Sequence, residues 1–91
     1  MPETKTTAAQ MAAQAQEHIS ELTSKSVVGV ISVEPSDDGW LIEVEVVEDH
    51  RIPASSDMLA VYEAELDDEG DLLSYRRTLR YARGRADVGR T

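Results

Sequence analysis

The sequence predicts an α+β domain, one N-terminal helix packed on a four-stranded antiparallel β-meander. Three observations predict it. Apolar residues before Ser24 recur every three or four positions, the period of a helix face. From Trp40 to Tyr81 they recur mostly every second position, the period of a half-buried strand. Between the periodic runs lie short clusters of Pro, Ser, Asp and Gly, the residues of turns. Strands joined by short turns pair with their sequence neighbours, which favours the order 1-2-3-4.

The helix comes first. Thr7 is placed to cap it, with Gln10 three residues on as the reciprocal partner of a capping box. Alanine, the best helix former, is abundant from Ala8 to Ala15. Met11, Ala15, Ile19 and Leu22 form one narrow apolar stripe, and the helix is predicted to end near Thr23 or Ser24. Residues 1–6 are short and polar and are expected to be disordered.

Val27–Val33 is β-branched and apolar apart from Gly29 and Ser32, and reads as the first strand. Pro35–Gly39 is the expected turn. In the second strand, Trp40 to Glu48, Trp40, Ile42, Val44 and Val46 point one way while Glu43 and Glu45 point the other. A loop follows from Asp49 to Ser56, where Pro53 cannot donate to a ladder. The third strand runs to Leu66, with Met58, Ala60, Tyr62, Ala64 and Leu66 opposed to Glu63 and Glu65. Asp67–Asp71 is a hairpin turn. In the fourth strand, Leu72 to Ala82, strict alternation sets Leu73, Tyr75, Leu79 and Tyr81 against Arg76, Thr78 and Arg80. The domain is thus expected over residues 7–83, and 84–91 read as a polar tail. The expected core is Met11, Ile19, Leu22, Ile31, Trp40, Ile42, Val44, Tyr62, Leu66, Tyr75 and Leu79.

The 91-residue chain suits one domain and has no cysteine, so it has neither a disulfide nor a thiolate site. No apolar run is long enough to cross a bilayer, and no basic segment with an apolar core opens the chain. The composition reads as that of a cytoplasmic protein.

A net charge of −9 weighs against nucleic-acid binding through bulk charge. Yet the charge is divided. Glu34–Asp71 holds 14 acids and one base, whereas Leu72–Thr91 holds six arginines and one acid. In the predicted meander, Glu43, Glu45, Glu63 and Glu65 lie beside Arg76 and Arg80 on one sheet face. That face reads either as a docking surface for a partner or as a solvated face held by weak ion pairs. Arg83 extends the basic end, where arginine alternates with tyrosine, a composition also found in proteins that stack on bases.

Other chemistry lacks support. Counted from Asp67, glycine falls at the fourth position, not at the sixth that an EF-hand loop requires. His18 and His50 have no second histidine or cysteine at ligand spacing. The five glycines are scattered and make no phosphate loop. No nucleophile and base stand in a recognisable arrangement, so the chain reads as a non-enzyme with no cofactor and no metal.

One further pattern spans Gly39 to Arg83. It comprises Gly39-Trp40, Glu43–Glu48, Arg51-Ile52-Pro53, Asp57–Glu63, Leu66-Asp67, Gly70-Asp71-Leu72, Tyr75-Arg76-Arg77, Arg80-Tyr81 and Arg83. In order and spacing this series resembles the gas vesicle protein O family. The resemblance implies a non-enzymatic accessory protein of gas vesicle assembly, associated with the vesicle and contacting the shell protein and the ATPase-type accessory protein. For some members it also implies a regulatory role in gas vesicle gene expression. By the same resemblance, members often carry a longer polar N-terminal extension, where this chain has a short Ala/Gln-rich lead. On this reading Glu43, Glu45, Glu63, Glu65, Arg76, Arg80 and Arg83 are the candidate protein-binding residues. The alternatives are a nucleic-acid-binding or regulatory domain and a general protein-binding module.

Overall fold

The computed structural model describes residues 7–83, and both the expected N-terminal disorder over 1–6 and the polar tail over 84–91 lie outside them. Helix α1 (Ala8–Thr23) opens on the expected capping box. The Gln10 N–H donates to Thr7 Oγ1 at 3.2 Å, and the Thr7 N–H donates to Gln10 Oε1 at 2.8 Å. The helix stops at Ser24, whose left-handed backbone (φ 59°) turns its N–H onto the Ser20 carbonyl.

Strands β1 (Ser26–Ser36), β2 (Gly39–Asp49), β3 (Met58–Asp67) and β4 (Leu72–Ala82) form one antiparallel sheet in the order β1-β2-β3-β4. The first turn is tighter than expected. Pro35 and Ser36 belong to β1 and pair with Trp40 and Gly39, leaving Asp37 and Asp38 as the two-residue connection. Pro35 is tolerated there because β1 is an edge strand. The loop between β2 and β3 contains a single 3-10 turn, Ala54–Ser56.

The helix packs across β1, β2 and β3. Met11, Ala15 and Ile19 meet Ile42, Val44 and Val46 of β2 and Ala60, Ala64 and Leu66 of β3, all fully buried. The two alanines of β3 leave room for the helix to approach. Each large apolar side chain removed from water here is worth about 1.5–3 kcal/mol. Trp40 and Tyr62 pack on the rim of this cluster.

Four expected core residues are instead at least 40% exposed: Leu22, Ile31, Tyr75 and Leu79. Ile31 sits at a register shift of β1, between the pairs Val30↔Val44 and Ser32↔Glu43. Tyr75 and Leu79 belong to the edge strand β4, where Tyr75 lies on the helix side outside the main helix contacts and Leu79 lies on the opposite face. Leu22 falls in the last helical turn, past the buried stripe that ends at Ile19.

Candidate functional site

Antiparallel partners share a sheet face, so the register assigns each charged side chain to a side. On the face away from the helix, one row reads Ser32, Glu43, Glu63, Arg76 from β1 to β4. Glu43 stands directly opposite Glu63, a like-charge pair that is unfavourable by itself. Its two outer neighbours relieve it. Ser32 Oγ donates to Glu43 Oε1 at 3.0 Å, and Arg76 Nη2 lies 3.0 Å from Glu63 Oε1. Glu45 faces Val61, and Glu65 lies between Leu41 and Ser74. The four expected glutamates therefore do share a face, each of them half-buried.

Arg80 is not on that face. β4 carries an extra residue, Thr78, between the pairs Tyr62↔Arg77 and Val61↔Leu79. The bulge shifts the alternation by one. It places Leu79 beside Val61 on the helix-free face and Arg80 beside Ala60 on the helix side. A second shift at Leu73 has the same effect upstream and leaves Tyr75 on the helix side, its ring 6.2 Å from that of Tyr62. The expected grouping of Leu73, Tyr75, Leu79 and Tyr81 against Arg76, Thr78 and Arg80 is thus broken twice by bulges.

On the helix side Arg80 joins a cluster that the sequence reading missed. Glu48 is bulged out of β2 between Val47 and Asp49. Its Oε2 accepts from Arg77 Nη1 at 2.7 Å and lies 3.6 Å from Arg80 Nε. Its Oε1 is buried with no hydrogen-bond partner. Burial pushes the Tyr62 phenol above its ordinary pKa, and the Glu48 carboxylate adds to that rise while Arg77 opposes it.

Arg83 has a different role from the other arginines. Its backbone N–H donates to the Asp57 carbonyl at 2.8 Å, and its Nη2 lies 3.3 Å from Asp57 Oδ2. The buried Asp57 carboxylate also accepts the Arg51 backbone N–H at 2.7 Å. These bonds clasp the β2–β3 loop to the end of β4. The Arg51 N–H chiefly, and Arg83 with it, hold the Asp57 carboxyl below the usual carboxylate range, against the opposing effect of burial.

The helix-free face also has an apolar end. Val47, Leu59 and Val61 are buried there, outside the core under the helix, and Tyr81 and Leu79 stand across from Leu59 and Val61. The signal for them was the run Met58–Tyr62, apolar in both phases of the alternation. In the acidic turn, the Asp67, Glu69 and Asp71 carboxylates approach within 4.8 Å of one another. Asp67 Oδ1 there accepts the backbone N–H of Glu69 and of Asp71 at 2.8 and 3.0 Å, which organises the hairpin. His18 Nε2 lies 2.9 Å from the Gly70 carbonyl, tying this turn to the helix.

The sheet thus presents charge on both faces of its β3–β4 half. The family of gas vesicle synthesis protein GvpO matches residues 1–87. The chain belongs to this family. It is 48% identical over 69 residues to gas vesicle protein O of Streptomyces sp. (strain CB03234), covering 76% of this chain and 54% of that relative. It is 39% identical over 70 residues to gas vesicle protein O1 of Halobacterium salinarum, covering 77% and 59%. With gas vesicle protein O of Haloferax mediterranei the identity is 37% over 71 residues, covering 77% and 51%. The chain spans roughly half the length of these GvpO relatives. No solved structure matches it. Among the described residues, no helix is long and apolar enough to cross a membrane.

Proposed function

We propose that this GvpO domain is a non-enzymatic accessory factor of gas vesicle assembly, working in the cytoplasm and on the vesicle through contacts with other gas vesicle proteins. Family membership carries the reading. The surface supports it: a partner-binding scaffold needs a rigid sheet with specific charges more than a catalytic pocket. On this proposal Glu43, Glu45, Glu63 and Glu65 dock a basic partner surface, and Arg76, Arg80 and Arg83 engage acidic groups. The shell protein and the ATPase-type accessory protein are the partners to test. Contacts of this kind weaken with salt.

A nucleic-acid role fits less well. Arg76, Arg77, Arg80 and Arg83 belong to a chain of net charge −9, which repels a long polyanion as a whole. The test is deletion of the gene in a vesicle-forming host, followed by electron microscopy. Loss of vesicles, restored in trans, is the expected outcome. Vesicles normal in number and shape would refute the assembly role.

A further inference from the structure

We propose that the outer edge of β4, unpaired among the described residues, captures an extended partner segment of alternating acidic and apolar residues, which adds to the sheet as a fifth strand. The inference rests on the proposed assembly role and names the kind of partner element that role would use.

The two sheet edges differ. Each edge strand carries two register shifts, but β1 also holds Pro35 and has the helix packed over it, both features that discourage another strand. β4 has no proline, lies beyond the helix, and is exposed from Leu73 to Arg80. An exposed edge offers unpaired backbone donors and acceptors to an incoming strand.

The charge of this edge selects the occupant. Leu72–Arg83 holds four arginines and no acid, whereas residues 1–71 hold 17 acids and three bases. The bulge at Thr78 then sorts the edge by face. Arg77 and Arg80 look to the helix side, and Leu79, 55% exposed, looks to the other beside Val61. A strand alternates its side chains between faces. One with carboxylates in one phase meets Arg77 and Arg80, and its apolar phase covers Leu79. A second copy is a poor occupant. Its own β4 would set arginine against arginine, and its β1 offers a single acid, Glu34. A polyphosphate chain lacks both the backbone donors and the apolar phase.

The probe is a peptide of about seven residues alternating Glu and Val, titrated into the 15N-labelled 91-residue chain. The expected result is amide shifts and slowed hydrogen exchange along residues 72–82, with binding at least about tenfold weaker for the folded variant Arg77→Glu/Arg80→Glu and restored by Arg77→Lys/Arg80→Lys. The same peptide N-methylated at alternate residues is expected not to bind, since it has lost the strand donors. Shifts centred away from β4, equal binding of the N-methylated peptide, or tighter binding at this edge of a single-stranded oligonucleotide of equal charge would each overturn the proposal. Concentration-dependent dimerisation through β4 would overturn it in favour of a second copy. The failures separate in cells. If deletion abolishes vesicles but the folded Arg77→Glu/Arg80→Glu chain restores them, the edge is wrong and the assembly role stands. If deletion leaves vesicles normal, the assembly role itself fails.

Discussion

Arg76 and Arg80 stand four residues apart on one strand yet face opposite sides of the sheet, Arg76 reaching Glu63 and Arg80 reaching Glu48. Thr78, inserted between them, makes the difference. Two electrostatic clusters result where strict alternation gives one.

This arrangement sets the couplings between charges. In double-mutant cycles followed by urea unfolding, Glu63 and Arg76 are expected to couple by about 0.2–1 kcal/mol, the scale of a partly exposed pair. Glu48 and Arg77 should couple on the same scale. Glu63 and Arg80 should not couple, because the sheet separates them. A Glu63–Arg80 coupling as large as that of Glu63 and Arg76 would mean that the bulge is absent in solution.

The loop clasp carries a pH signature. The folded-state pKa of Asp57 lies below its ordinary value of 3.8. Its stabilising contribution is therefore complete above that value and is lost as pH falls through the lower folded-state value. The Asp57→Asn variant should unfold at lower urea concentration at neutral pH. Between about pH 5 and about pH 2 it should lose less stability than the parent, so the two curves converge on the acid side. Parallel curves over that range would show that the carboxylate does not hold the loop.

Gly39 closes the first hairpin at a place where no side chain fits. A Cβ there would lie 2.0 Å from the Leu66 carbonyl oxygen and 2.7 Å from the Asp67 Cα. Both obstacles are backbone, so β2 and β3 must part for alanine to enter. Gly39→Ala is expected to cost about 2 kcal/mol or more in urea unfolding. At Gly29, where a Cβ meets nothing within 4 Å, the same substitution should change stability far less.

The local signals in the sequence were reliable where one interaction dominates. Thr7 and Gln10 announce the helix start because the capping box needs only those two side chains and their backbone. Ile42, Val44 and Val46 announce a buried face of β2 because the phase of that strand is unbroken from Trp40 to Val47. The four glutamates were legible as one face for the same reason, with Arg76 beside them. Arg80 was not, since no glycine or proline marks the bulge at Thr78. Nor were Glu48 and Asp57, whose partners Arg77 and Arg83 are 29 and 26 residues away.

By itself the sequence determined the element order, the meander, the helix stripe of Met11, Ala15 and Ile19, and the division of charge between an acidic middle and a basic end. Each follows from periodicity or composition, properties that short stretches of chain possess alone. Only the tertiary structure decided which residues the helix covers, and so why Tyr75 remains exposed, and that Leu79 faces away from the helix. It also decided on which face of β4 each arginine stands. Both depend on register between strands, and a single unpaired residue reverses the facing of every side chain beyond it.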